Sequence, residues 1–167
     1  MIRNALIITG ILLLAACSTT SKKSGIEQGI RVIELTQGKM KKVGETYEIY
    51  QFTNDMDYEV NDTCVYAEKN MECLRHGFVL KYDSFGKDVK LDCTANTNIT
   101  VNAGNVEREK YVDTNKDDFY MELKGNEKEF VNVQYVSGQP GLEDLYINTT
   151  CSFGGKSLFT FSQRIRF

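Results

Sequence analysis

The sequence predicts an all-β fold, an antiparallel β-sandwich or small barrel that is crosslinked by disulfide bonds. Three observations lead to this prediction. From Ile30 onward, apolar residues recur mostly at every second position, which is the period of a half-buried strand. Segments rich in aromatic and β-branched residues alternate with turns that contain Gly, Asn and Asp. Four of the five cysteines lie in this region, an even number that allows two disulfide bonds.

The most regular strand is predicted at residues 88–95, where Val, Leu, Cys93 and Ala alternate with Lys, Asp and Thr. A second regular strand at 143–153 places Cys151 on the same face as three apolar side chains. Further strands are predicted at 30–36, 45–53, 63–68, 77–83, 97–101, 107–113, 118–123, 129–136 and 157–166. Turns are predicted at 83–86, 102–105, 124–126, 138–141 and 154–155. The sequence predicts no long helix, no internal repeat and no second domain.

The composition excludes several functional classes. The chain has 167 residues with 20 Lys and Arg against 23 Asp and Glu, so it lacks the basic surplus of a nucleic-acid-binding protein. Its single histidine, His76, is predicted to be solvated at a turn that enters the strand 77–83. One histidine is too few for most histidine-based catalytic and zinc sites. We therefore expect neither enzymatic activity nor a cofactor.

The four cysteines of the predicted β-domain are Cys64, Cys73, Cys93 and Cys151. They allow three disulfide connectivities. The short spacing of Cys64 and Cys73 suits a hairpin closed by its own bond, and this favours pairing of Cys93 with Cys151. Metal and redox sites need closer Cys-x-x-Cys pairs or histidine ligands, so we expect structural disulfides.

The separation of Cys93 and Cys151 lies in the range found in immunoglobulin domains. An immunoglobulin-like sandwich is therefore one form of the predicted fold. However, the chain has no Trp to pack on the disulfide, and Thr149 stands where an immunoglobulin domain has Tyr. These differences argue against a true immunoglobulin domain.

The only candidate metal ligands with a regular spacing are Asp113, Asn115 and Asp117. Oxygen ligands at every second position are typical of the start of a calcium loop. Asp118 replaces the Gly of the sixth position, and Lys124 replaces the Glu of the twelfth. We therefore predict an acidic hairpin turn here and no metal site.

A second acidic segment, residues 54–62, has no ligand spacing and is predicted to be a solvated loop. The segment 154–157, with two Gly followed by Lys and Ser, lacks the first Gly of a phosphate-binding loop. It joins two predicted strands and is interpreted as a hairpin turn.

Residues 1–17 read MIRNALIITGILLLAAC and have the layout of a secretory signal, with a positive charge, a short apolar stretch and small residues. The apolar stretch is shorter than the about 20 residues that a transmembrane span needs. The segment Leu14-Ala15-Ala16-Cys17 resembles the lipobox of bacterial lipoproteins.

This resemblance implies that the chain is cut before Cys17 and that acyl chains such as palmitate anchor this cysteine to a membrane. Ser18 stands where lipoproteins of the inner membrane usually have Asp, which implies sorting to the periplasmic face of the outer membrane. We therefore predict a signal peptide at 1–16, an acylated flexible tether at 17–29 and a single β-domain at 30–167. The lipid on Cys17 is the only non-protein group expected.

These features predict a non-enzymatic, membrane-anchored periplasmic lipoprotein that binds an unidentified envelope protein as an accessory or adaptor. Exposed sheet edges and tyrosine-containing loops are the expected contact surfaces. The tyrosines are Tyr47, Tyr50, Tyr58 and Tyr66. The alternative is a periplasmic inhibitor or immunity lipoprotein against a hydrolase such as lysozyme, with the acidic segment 113–118 facing a basic target.

Overall fold

The structure is a computed structural model that describes residues 26–27, 29–102 and 110–167. The described residues form the strands β1 (Ile26–Glu27), β2 (Ile30–Val43), β3 (Thr46–Phe52), β4 (Asp55–Asp57), β5 (Asp62–Tyr66), β6 (Lys69–Asp83), β7 (Val89–Asn102), β8 (Lys110–Leu123), β9 (Glu129–Val136), β10 (Leu142–Phe153) and β11 (Lys156–Arg166). None of these residues belongs to a helix that is long and apolar enough to cross a membrane. The predicted signal peptide and Cys17 lie outside the described residues. Strand β1 falls within the predicted tether and pairs with β2.

The strands form two sheets that pack face to face. One sheet has the strand order β1-β2-β6-β5, with β3 also paired to β2 and β9 also paired to β6. The other has the order β4-β11-β10-β7-β8. The neighbouring strands are antiparallel except β4 and β11, which are parallel. The predicted all-β sandwich is confirmed.

Two hydrophobic clusters fill the space between the sheets. In the larger cluster, the rings of Phe78 on β6 and Phe161 on β11 approach to 4.6 Å between centroids. Complete burial of such a side chain stabilises the fold by about 1.5–3 kcal/mol. Two buried polar residues, His76 of β6 and Gln163 of β11, lie between the two clusters along their strands. The buried members of the smaller cluster are Met56, Leu74, Leu145 and Ile165.

Four of the predicted turns are confirmed, at 83–86, 124–126, 138–141 and 154–155. In the last of these, Gly154 and Gly155 have positive φ angles of 59° and 80°. This is the geometry of a two-residue hairpin turn, whose twist matches that of the flanking strands. The predicted turn at 102–105 lies mostly outside the described residues.

The predicted division of β7 and β8 into four shorter strands is wrong, and so is the acidic hairpin turn between 107–113 and 118–123. The acidic segment 113–118 is the middle of β8, which pairs residue by residue with β7. Thr94 Oγ1 donates a hydrogen bond to Asp118 Oδ1 at 2.6 Å, so a side-chain contact across the two strands supports the pairing. Cross-strand contacts over fourteen residues outweigh the low strand propensity of Asp and Asn.

The prediction of a solvated loop at 54–62 holds only in part: residues 58–61 form no strand and the carboxylates of Asp57 and Glu59 are exposed, but residues 55–57 form a strand and the carboxylates have cationic partners. Asp55 and Asp57 belong to β4, and both carboxylates accept hydrogen bonds from Arg166 of β11, at 3.1 and 2.9 Å. Glu59 accepts a hydrogen bond at 2.8 Å from the ammonium of Lys39, whose side chain is buried. These carboxylates are held by cationic partners that are distant in the sequence, which no local pattern indicates.

Both disulfide bonds join the cysteines that the spacing favours. Cys64 of β5 is bonded to Cys73 of β6, and Cys93 of β7 is bonded to Cys151 of β10. Cys93 and Cys151 are direct neighbours in adjacent strands, with Cα atoms 4.1 Å apart. The bond therefore joins two strands of one sheet, whereas the conserved disulfide of antibody domains joins the two sheets.

Candidate functional site

The end of the β5–β6 hairpin projects from the body of the sandwich. Val65 and Tyr66 are 64% and 63% exposed. Because consecutive strand residues point to opposite faces, exposure of both means that neither face of the hairpin end is covered. The turn consists of Ala67 and Glu68, both at positive φ, which is the conformation of a tight two-residue hairpin turn. We call residues 65–70 the hairpin tip.

The base of the hairpin is fixed by a disulfide and by a group of hydrogen bonds. The Cys64–Cys73 bond links the two strands. Arg75 Nε donates to Asp62 Oδ2 at 3.0 Å, and the backbone NH of Arg75 donates to Asn61 Oδ1 at 2.6 Å. The Asn61 amide also donates to the carbonyl oxygen of Arg75 at 3.1 Å. The base of the hairpin is therefore fixed by contacts within the chain itself.

An aromatic surface adjoins the base of this hairpin. The guanidinium carbon of Arg75 lies 5.2 Å from the ring centroid of Tyr47 and 5.5 Å from that of Tyr135. Tyr50 is the extra residue of a β-bulge, because Ile49 and Gln51 pair with consecutive residues of β2. Its hydroxyl accepts a hydrogen bond from the Asn61 amide at 3.2 Å. Four elements thus meet at this surface: β3, β6, β9 and the segment before β5.

The four tyrosines predicted to lie in contact loops have different settings. Tyr47 and Tyr50 lie on β3 and Tyr66 lies on β5, so they belong to strands. Tyr58 is half-buried; its ring stacks on Phe167 at 4.9 Å, and its hydroxyl accepts a hydrogen bond from the Gly138 NH. Tyr58 is therefore a packing residue, while Tyr66 is available to a partner.

The prediction that His76 is solvated at a turn is wrong. Strand β6 begins eight residues before the predicted strand start, and its alternation points His76 inward between Leu74 and Phe78. Burial lowers the pKa of His76 to about 4, and a contact with the Gln163 side chain opposes this shift only in part. The imidazole is therefore neutral near pH 7.

A cleft of about 440 Å³ opens between the sheets beside His76. Its lining includes the polar residues His76, Thr97, Asp117, Asn132, Gln134 and Tyr135, and Phe119, Leu145 and Ile147 form part of its apolar wall. Within the described part of the chain, three buried atoms here have no hydrogen-bond partner: His76 Nδ1, Asn132 Oδ1 and Gln134 Oε1. His76 and Gln134 are cross-strand neighbours, which no spacing in the sequence indicates.

The candidate metal ligands all lie on one extended strand. Asp113, Asn115 and Asp117 lie on the continuous strand β8, where alternate residues are about 7 Å apart along the strand. Calcium ligands must all lie within about 2.6 Å of the ion, which three such positions of one extended strand do not allow. Among the side chains that the structure describes, no group of three His, Cys, Asp or Glu residues was found that could hold a metal ion. The side-chain amide of Asn115 donates a hydrogen bond to Asp117 Oδ2 at 3.2 Å.

Comparison with known proteins identifies a fold and no family. No family model matches the sequence, and no curated protein matches it. The structure is similar to the crystal structure of an immunoglobulin-like protein from Pseudomonas aeruginosa, with a TM-score of 0.51 and 13% sequence identity. The match covers 85% of this chain and 100% of that chain. At this identity the likeness shows the fold alone.

The strand order agrees with this likeness. Strands β2, β6 and β9 are neighbours, as are A, B and E of an immunoglobulin domain, and β11, β10 and β7 correspond to G, F and C. Strand β8 extends the second sheet beyond β7, as C′ does in variable domains. The predicted immunoglobulin-like form of the sandwich is therefore confirmed.

Proposed function

We propose that this protein is a non-enzymatic, membrane-anchored periplasmic lipoprotein whose hairpin tip docks onto a protein of the cell envelope. The observation that supports this proposal most strongly is the exposed pair Val65 and Tyr66 at the end of a crosslinked hairpin. Covering an exposed apolar side chain with a partner removes it from water, which stabilises the complex. Tyrosine is also among the residues that dominate binding energy at protein interfaces.

The rigidity of the hairpin supports a binding role. A loop that orders only on binding loses conformational entropy at that moment, which weakens the complex. Here the Cys64–Cys73 bond and the Arg75–Asp62 ion pair hold the hairpin before any partner arrives. The hairpin can therefore bind without a large ordering cost.

The lipid anchor determines where this surface acts. We propose that Cys17 is acylated and that the protein is held at the periplasmic face of the outer membrane. The nine peptide units from Cys17 to β1 span at most about 30 Å when fully extended. The β-domain is then confined close to the membrane, where its partner is an envelope protein.

A non-catalytic role is consistent with the position of the one histidine. The imidazole of His76 is buried, and its pKa of about 4 makes it a poor general base near pH 7. We propose that the protein takes part in envelope assemblies as an accessory or adaptor.

The second candidate function is inhibition of a periplasmic or foreign hydrolase. A narrow hairpin that is exposed on both faces has a shape that can enter an enzyme cleft, and this feature favours the candidate. The acidic loop predicted at 113–118 was one argument for this candidate. That argument is lost, because the segment is part of strand β8.

The experiment is affinity capture of the full-length protein from its organism of origin, followed by mass spectrometry. The test variant carries Val65→Ser and Tyr66→Ser, and the control carries Phe85→Ser at another exposed apolar residue, which is 56% exposed. Phe85 follows the other end of β6, about 45 Å from the hairpin tip along the strand. We expect an envelope protein that is lost with the test variant and kept with the control. Capture of one soluble hydrolase would favour the inhibitor function. Equal capture of the same partner by the wild-type protein, the test variant and the control variant would overturn the hairpin proposal.

A further inference from the structure

The cleft between β8 and β9 is the strongest feature that the proposed docking role leaves unexplained. Within the described residues, β8 pairs only with β7 and β9 only with β6, so the two sheets are open along this side. Asp117 is exposed on β8, while His76 is buried at 1% exposure. At about 440 Å³, the cleft has the size of a small-molecule site, since such sites range from about 300 to 1,000 Å³.

The inner wall of the cleft carries buried polar atoms that have no hydrogen-bond partner within the described residues. A buried polar atom without a partner destabilises a fold by about 1–3 kcal/mol. Three such atoms lie on two adjacent strands: Nδ1 of His76, Oδ1 of Asn132 and Oε1 of Gln134. Asn132 and Gln134 are two residues apart on β9, and both line the cleft. Because these atoms are themselves buried, a ligand in the cleft would satisfy the Asn132 or Gln134 oxygen only after the side-chain amide rotates to present it.

The chemistry of the lining restricts the ligand. The cleft has no Lys or Arg among its lining residues and one carboxylate, Asp117, so it disfavours anions. The other polar residues are neutral. An amide that rotates, or an imidazole that changes tautomer, exchanges its donor and its acceptor. The best-matched ligand therefore has several neighbouring groups that both donate and accept hydrogen bonds, and hydroxyl groups do both.

The opposite side of the cleft is apolar. Phe119 of β8 and Leu145 and Ile147 of β10 offer aromatic and aliphatic surface that can cover C–H groups. A sugar ring combines such C–H faces with adjacent hydroxyl groups at its edge. We propose that this cleft binds a neutral sugar of one or two rings, held by the side chains of Asn132, Gln134 and Asp117.

The test uses the full-length protein in detergent micelles and ligand-observed NMR by saturation transfer. The probes are glucose, N-acetylglucosamine, maltose and diacetylchitobiose at millimolar concentration, with glucose 6-phosphate and cadaverine as anionic and cationic comparators. The test variant is Gln134→Met, which keeps the side-chain length and removes the amide. The control variant is Gln139→Met, at an exposed glutamine in the turn after β9.

We expect saturation transfer to at least one neutral sugar, with a dissociation constant about tenfold larger in Gln134→Met, as expected for loss of one hydrogen bond. The control should bind like the wild-type protein. The proposal is overturned if none of the four sugars receives saturation, if either charged comparator binds more tightly, or if Gln134→Met has no effect. Because neither variant alters the hairpin tip, partner capture should be unchanged, which separates this proposal from the docking role.

Discussion

Acidification should destabilise this protein through one residue, His76. Its pKa is about 4 in the folded protein, against 6.5 for an unperturbed histidine such as that of the unfolded chain. Between these two pH values the unfolded chain binds a proton that the folded protein does not, so stability falls as the pH decreases. A difference of about 2.5 pKa units, at about 1.4 kcal/mol for each unit, gives a loss of about 3 kcal/mol between pH 7 and pH 4.

The assay compares urea denaturation of the wild-type protein and His76→Gln at pH 7 and at pH 4. Glutamine retains hydrogen-bonding capacity and does not titrate in this range. Several carboxylates, including those of Asp83, Asp88 and Asp118, have lowered pKa values and also lose their stabilising contribution in acid. These carboxylates are present in both proteins, so their contribution cancels when the stability loss of the variant is subtracted from that of the wild type. We expect the wild type to lose about 3 kcal/mol more than the variant. Equal losses would refute the argument that His76 is buried and neutral.

Three further predictions concern the crosslinks, the sheet contact and the anchor. Cys93→Ala should lower the free energy of unfolding by about 4 kcal/mol, and Cys64→Ala by about 2.5 kcal/mol. A disulfide lowers the entropy of the unfolded chain more when it closes a longer loop, and the Cys93–Cys151 bond spans 58 residues whereas the Cys64–Cys73 bond spans 9. Equal losses in denaturation experiments would contradict this. Gly77→Ala should prevent folding of the β-domain, since the added Cβ would lie 2.0 Å from the carbonyl oxygen of Asn132; normal melting by circular dichroism would contradict this. Cys17→Ser should abolish metabolic labelling with palmitate, and persistent label would disprove acylation at this residue.

The strand architecture could be predicted because alternation is a local property. The strict alternation around Cys93 and Cys151 placed both cysteines on inward faces, and the two residues are bonded as the spacing favours. The turn at Gly154 and Gly155 could also be predicted from the sequence, because few other residues adopt positive φ without strain. These features depend on neighbours within a few positions.

The predictions that were wrong concern residues whose structural environment depends on partners distant in the sequence. The acidic segment 113–118 has the composition of a turn, yet pairing with β7 keeps it extended. His76 is beside Gly77, which suggested a turn, but this glycine allows close contact between strands instead. The carboxylates of β4 are held by Arg166, which is more than a hundred residues away in the sequence.

The candidate surfaces were less predictable than the fold for the same reason. Tyr66 was singled out by residue type, but its exposure follows from the hairpin that projects beyond the sandwich. The cleft beside His76 combines residues of β6, β7, β8, β9 and β10, and no motif in the sequence connects them. Local patterns predicted where strands occur but not the full extent of β6, β7 and β8, and tertiary packing produced the sites.

The most direct test of the docking proposal is site-specific photo-crosslinking in the organism of origin. A photoreactive amino acid replaces Tyr66 in one version of the full-length protein and Phe85 in another, since both residues are exposed apolar side chains. The proposal predicts a discrete crosslinked product with an envelope protein from the Tyr66 position and none from the Phe85 position. The same product from both positions, or a product from the Phe85 position alone, would contradict it.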